Sequence, residues 1–227
     1  MVVADWLANN GGTTFGELDA VRLACSALAR LFSYPSKDEA ALYTNDDSFG
    51  YLYNLMAEAL LTDENLTLLY EAAISESSNV SDERAQRMRH VFTQLFYSPH
   101  APIPLEGRYW IRRKPSDPLA RLGEEASVRE SYRCVGVHVR SGVVEQACAL
   151  PTELDFVAYL LTQEISCSCA GDGAQALAWK QRRRTFCRQH MVDFGNAVSE
   201  AVNQKSDWAP LLFWSAVLRK VIQRCAE

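Results

Sequence analysis

The stretch TFCRQHMVDFGNAV, residues 185–198, admits two readings that lead to different proteins. Cys187 and His190 stand three apart, a spacing at which one helix can offer both side chains to a metal ion. Phe186, His190, Met191 and Phe194 also form an apolar stripe with the helical period, which makes the same residues a wall of a helical core. The flanking sequence decides which reading the chain can use.

Working outward, almost every periodic segment is helical. Towards the C-terminus the pattern gives two long helices, roughly 173–203 and 206–225. Upstream, CSCAGDGA is a turn carrying two glycines, and Pro151 starts a helix through TELDFVAYLL. Another helix runs from about Pro118 through Tyr132. In RAQRMRHVFTQLFY, Met88, Val91, Phe92, Leu95 and Phe96 share a face, with Ser81-Asp82-Glu83 as the start and Pro99 as the stop. Shorter helices are expected near 63–76, 48–61 and 37–44. In LDAVRLACSALARLF the residues Leu18, Val21, Cys25, Leu28, Leu31 and Phe32 follow the i, i+3, i+4, i+7 rule, and Pro35 ends it. VGVHVRSGVV, residues 135–144, is the one strand candidate, and one short run cannot make a sheet. The fold class is therefore all-α, a single multi-helix domain over 1–227, in which core packing is the ordinary reading of Cys187.

One segment breaks the pattern. SPHAPIPLEGRYWIRRKPSDP, residues 98–118, holds five of the eight prolines and must run as an irregular loop. It nevertheless carries Leu105, Tyr109, Trp110 and Ile111, which a solvated linker does not need. Something covers these side chains or binds to them.

Composition narrows the function. With 23 Lys+Arg against 28 Asp+Glu the net charge is -5, which excludes a nucleic-acid surface and suits a basic ligand. The opening MVVADWLANNGG lacks the charged start and apolar run of a secretory signal, so the expected location is the cytoplasm. No apolar stretch reaches the ~18 to 20 residues a membrane span needs. The cysteines at 25, 134, 148, 167, 169, 187 and 225 are odd in number and scattered, the pattern of reduced thiols. Neither a nucleophile elbow nor a phosphate-binding glycine loop is present, so no reaction chemistry is expected and the chain is read as a non-enzyme. Glu124-Glu125 is read as a solvated helix face. Arg182-Arg183-Arg184 is read as a charged helix surface, although in mid-helix at least one member must face inward. Cys167 and Cys169 could join Cys187 and His190 as four zinc-like ligands, which leaves a small metal-binding or redox-sensing protein as the alternative.

Three segments taken together resemble the TorD/DmsD family of cytoplasmic chaperones for molybdenum-containing redox enzymes. PLEGRY at 104–109 is similar to the family's P-Y-E-S-x-Y loop through Pro104, Glu106 and Tyr109. Tyr132-x-x-x-Gly136 followed by Glu153-Leu154-x-Phe156 resembles its Y-x-x-x-G and E-L-x-F pair. Phe186, His190 and Phe194 fit F-L-x-x-H-L-x-x-W with Phe for Trp, and FWSAVLRKVI resembles the closing helix; the resemblance implies the core reading of 185–198, with His190 a polar core group expected to find a backbone partner. An Asp-His pair usual in the family before E-L-x-F is replaced here by Cys148 and Ala149.

The resemblance implies a chaperone that binds the twin-arginine signal peptide and the apo form of a molybdenum-cofactor oxidoreductase, helps cofactor insertion and delays export. It implies no cofactor of its own, and either a monomer or a dimer exchanging parts 1–116 and 117–227 about a hinge. The leader needs an apolar groove and acids for its arginines, because an unpaired guanidinium loses water without return. The candidate leader and client contacts are Leu105, Glu106, Tyr109, Trp110, Tyr132, Glu153, Phe156 and His190, with Glu130 and Asp155 as further nearby acids. Burying ~400 Å² of apolar leader at ~25 cal/mol/Å² yields roughly 10 kcal/mol, from which ordering the peptide removes about 2 to 5. A micromolar or somewhat tighter complex results once lost translational freedom is included.

Overall fold

The computed structural model describes residues 16–76, 81–110, 118–139 and 146–227. Its first helix, α1 (Glu17–Leu31), has Glu17 and Asp19 at the positive start and Arg30 in the last turn. It buries Val21, Leu23, Cys25, Leu28 and Leu31 along one face. Pro35 disfavours helical geometry at Tyr34, and the helix has ended before it.

The next helices begin at side chains that satisfy orphan backbone N–H groups. Ser36 and Glu39 form a reciprocal capping box at the start of α2 (Lys37–Tyr43). Asn45 Oδ1 accepts from the Ser48 N–H at α3 (Asp46–Glu58), and Asp63 Oδ1 from the Leu66 N–H at α4 (Glu64–Ser75), each at 2.8 Å. Helix α5 (Ser81–Phe92) widens into a π-helical turn, Thr93–Tyr97. Beyond the proline-rich segment come α6 (Pro118–Arg133) and α7 (Leu150–Cys169), which has a proline in its first turn where a missing N–H does no harm. Asp172 caps α8 (Gly173–Phe186), a second π turn covers Cys187–Met191, and α9 (Val192–Lys205) and α10 (Ala209–Cys225) follow.

The pattern predicted one helix over 173–203. The π turn Cys187–Met191 divides it, its i→i+5 hydrogen bonding replacing the α-helical i→i+4 pattern there. Among the described residues there is no strand. Residues 135–139 of the strand candidate form turns and irregular backbone, and 140–144 lie outside the described residues, as does Ile111. An isolated antiparallel bridge joins Glu106 to Ala149.

Helix α1 packs on α7, α7 on α8, α9 on α10, and α10 on both α4 and α1. The buried apolar side chains form one cluster that includes residues from Ala20 to Ala226. Trp214 is at its centre, stacked on Phe49 at 5.7 Å and edge-on to Trp208 at 5.5 Å. Close approach of α9 to α10 depends on Gly195, where a Cβ would run into Ile222 Cδ1. This packing sets α6 and the start of α7 against residues 105–109 of the proline-rich segment.

Candidate functional site

Prolines 99, 102 and 104 keep residues 98–106 out of a helix, so their backbone groups need other partners. The Ile103 N–H donates to Leu95 O at 3.0 Å, and the Ile103 side chain is buried. Two bonds of 2.8 Å then sew the segment to the start of α7, Leu150 N–H to Leu105 O and Gly107 N–H to Cys148 O. A short 3-10 turn, Gly107–Tyr109, ends it. Space for a side chain there is tight: a Cβ on residue 107 would stand 3.2 Å from Glu153 Oε1 and 3.4 Å from Phe194 Cδ1.

This turn gathers charge. Arg108 reaches Glu106 Oε2 at 2.6 Å and Glu125 Oε2 at 3.1 Å. The other oxygen of Glu125 accepts from Arg129 at 2.8 Å. Next to it on α6, Glu124 Oε1 lies 2.6 Å from Nδ1 of His190, so Nδ1–H is the donor to the carboxylate. The Nε2 side of the ring meets Ser127 Oγ at 3.5 Å. Burial pushes the Glu106 carboxyl above its ordinary range against the pull of Arg108. Glu153 is 1% exposed, and burial, aided by the charge of Glu124, raises it well above the carboxylate range. Its Oε2 has no hydrogen-bond partner among the described residues.

The residues singled out from the sequence divide into a floor and a surface. Leu105, Tyr132, Glu153, Phe156 and His190 are all buried. Tyr132 donates its hydroxyl to Ala147 O at 2.7 Å, and its ring lies 4.4 Å from Phe156, which in turn meets Phe186 edge-on at 4.8 Å. Trp110 is half-buried and donates Nε1–H to Pro104 O at 2.7 Å. Tyr109 is 37% exposed, its ring flanked by Arg108 at 5.2 Å and Arg121 at 4.9 Å. Glu106 is half-buried between floor and surface. Glu130 is exposed and paired with Arg133, and Asp155 is exposed on α7.

Two expectations are corrected. His190 is held by the Glu124 and Ser127 side chains instead of a backbone group. Glu124 and Glu125 are not a solvated face: both are part-buried, one turned to His190 and the other to Arg108 and Arg129. The sequence offers one clue to them, the Glu125–Arg129 spacing of an i, i+4 ion pair. Their other partners come from distant parts of the chain and leave no local signal.

Cys167, Cys169, Cys187 and His190 do not converge. Cys187 is buried towards Cys225, whose Sγ is 3.8 Å from Cys25 Sγ, whereas Cys169 is exposed at the end of α7. Among the described residues no three His, Cys, Asp or Glu side chains are grouped to hold a metal ion. Cys148 and Ala149, where the Asp-His pair would stand, are both buried against the turn. The Cys148 thiol is pushed up to about 11 by burial. Of the arginine triplet, Arg183 faces inward, with Nε donating to Glu164 Oε2 at 2.9 Å, and Arg182 lies over the Trp179 ring at 4.7 Å.

Beside this cluster is a groove of about 390 Å³. Phe156, Leu160 and Phe186 form its apolar floor, and Ser131, Arg182 and Gln189 stand among its lining residues. Another hollow of about 200 Å³ lies between α1 and α3, with Arg22 and Arg30 in its lining, Arg22 being paired with Asp19 at 2.7 Å. Among the described residues no helix is long and apolar enough to cross a membrane.

No curated protein matches the chain at a significant level. Residues 57–199, running from the end of α3 into α9 and so including the turn, α6 and the second π turn, match the family described as nitrate reductase delta subunit. The order PLEGRY, Tyr132, Glu153-Leu154-x-Phe156 and His190 is thus one folded cluster inside the matched region, and the chain belongs to this TorD/DmsD-type family of molybdoenzyme maturation chaperones.

Proposed function

We propose that the chain is a cytoplasmic, non-catalytic chaperone that holds the twin-arginine leader and the cofactor-free body of a molybdenum-cofactor oxidoreductase. It assists cofactor insertion and delays export until insertion is complete. The observation that supports this most directly is the order of features along α6. Glu125, midway along α6, shares Arg108 with Glu106, while Ser131, further along, lines the apolar groove with Phe156 and Phe186. Helical rise separates Glu125 from Ser131 by about 9 Å, the reach of roughly three residues of extended peptide. A segment with arginines followed closely by apolar residues matches that order. The buried Tyr132 and His190 serve as supports that fix α6 against α7 and the π turn. Tyr109 and Trp110 form the accessible edge.

The test is binding of a synthetic peptide carrying Arg-Arg ahead of an apolar run, followed by titration calorimetry. The complex is expected to be micromolar or tighter, to weaken as salt rises from 0.05 to 0.5 M because the charges are only part-buried, and to weaken in Trp110→Ala and Glu106→Ala. Equal affinity for a peptide with Gln-Gln in place of Arg-Arg would remove the acids from the reading. Absence of binding to any leader-like peptide would remove the reading itself.

A further inference from the structure

The acids around the 3-10 turn are already engaged by an arginine from the chain itself. Arg108 is clasped by Glu106 and Glu125, and all three side chains remain between 18% and 27% exposed. The fit is incomplete. Arg108 Nε and Glu106 Oε2 are buried atoms without a hydrogen-bond partner among the described residues, so the 2.6 Å contact is an ion pair lacking hydrogen-bond geometry. Beneath the turn, Glu153 adds a carboxyl that is almost fully buried and turned up against Gly107, with Oε2 unsatisfied among the described residues. A guanidinium has five donors in a planar fork, whereas the one supplied by Arg108 leaves both its own Nε and nearby acceptors unused. The turn that carries it is three residues long, following a segment that prolines hold out of any helix.

Resting on the reading above, we propose that the Glu106–Glu125 pair is the seat for an arginine of the client leader, and that Arg108 is its internal competitor. In the free chaperone Arg108 neutralises the seat; when a leader arrives, the client guanidinium takes over the carboxylates and Arg108 moves outward with the turn. The exchange replaces one charge-assisted pair by another, so neither carboxylate is left uncompensated. Tyr109 assists, because its exposed ring now receives Arg108 and Arg121, and departure of Arg108 uncovers a ring face for the incoming cation. Self-occupancy also lowers apparent affinity by the fraction of molecules whose seat is free, which suits a holder that must release its client.

The closing experiment measures an Arg-Arg peptide, with Lys-Lys and Gln-Gln counterparts, against wild-type protein, Arg108→Gln, Arg108→Lys and the double variant Glu106→Gln/Glu125→Gln. Thermal unfolding confirms that each is folded. Arg108→Gln is expected to tighten the Arg-Arg peptide about tenfold by freeing the seat, and Arg108→Lys to tighten it by less. The acid double variant is expected to lose the preference for Arg-Arg over Lys-Lys. If wild-type protein binds the peptide but Arg108→Gln binds equally or more weakly, Arg108 is a clamp that builds the site and the competitor assignment fails while the chaperone reading stands. Should Arg108→Gln not fold, the assignment rests on Arg108→Lys and falls if that variant binds no tighter than wild type. If no peptide binds to any folded variant, both readings fall together.

Discussion

Nδ1 of His190 and Oε1 of Glu124 lie 2.6 Å apart, tying the π turn after α8 to α6. His190 is buried and its ring also packs on Phe186 at 5.1 Å, so the pair fixes how the turn faces the cluster. Truncating one partner strands the other in a poorly hydrated place. Glu124→Ala should cost about 1–3 kcal/mol, a fall in Tm of several degrees at ~2–4 °C per kcal/mol for a chain of this size. A double-mutant cycle with His190→Phe should show coupling of about 0.5–3 kcal/mol, measured by urea unfolding. Additive effects would mean that the contact contributes nothing.

Glu153 makes stability depend on pH in the direction opposite to a paired carboxylate. Its folded-state pKa is raised, first by burial and then by Glu124, so the native state keeps a proton that the unfolded chain releases. Stability from this group is fully present below the ordinary carboxylate pKa and is lost as pH rises through and above it. Glu153→Gln removes the titration and keeps the shape. The variant should gain Tm relative to wild type at pH 8 and gain less, or nothing, at pH 4.5. An equal offset at both values would show that Glu153 is ionised in the fold.

Much of this architecture was readable because its causes are local. The spacing of Leu18, Val21, Cys25 and Leu28 fixes α1, and Pro99, Pro102 and Pro104 force the loop that carries Glu106 and Tyr109. What escaped depends on tertiary placement. Five residues are too few for a π turn to be told from an α-helix by apolar period, so the break at Cys187–Met191 is invisible in the stripe Phe186, His190, Phe194. Glu124 and Glu125 look like ordinary surface acids because their partners His190 and Arg108 are 66 and 17 residues away. Three successive arginines in mid-helix imply that at least one faces inward, but neither that it is Arg183 nor that Glu164 is its partner can be read from the spacing.

That buried pair carries its own prediction. Arg183 and Glu164 are both almost fully buried, and Arg183 Nη1 also donates to Cys225 O at the end of α10. Arg183→Ala leaves Glu164 charged without a partner and should destabilise by about 3–5 kcal/mol. Arg183→Met combined with Glu164→Leu should recover much of that loss, since it removes both charges and keeps volume. Arg182→Ala, on the exposed face over Trp179, should cost no more than about 1 kcal/mol. Chemical denaturation of the four proteins checks the ranking, and a mild Arg183→Ala would mean that water reaches Glu164.

Thiol reactivity reports on the same end of the core. Cys25, Cys187 and Cys225 are buried together, with Cys25 and Cys225 Sγ atoms 3.8 Å apart, while Cys134 and Cys169 are exposed. A neighbouring thiol and burial push Cys25 well above its ordinary range, and burial does the same for Cys187. Since the thiolate is the reactive species, these two should be slow for reasons of access and ionisation alike. Cys225 is held in the opposite direction by hydrogen bonds from Cys187 and Cys25, so burial alone protects it. It is also the last residue of α10, where helix ends open most readily. With excess alkylating reagent under native conditions, Cys134 and Cys169 should be modified first, Cys225 next, and Cys25 and Cys187 only on the timescale of global unfolding. Mass spectrometry of digests taken over time gives the order. Early modification of Cys25 or Cys187 would show that α1, the second π turn and the end of α10 do not pack as one unit.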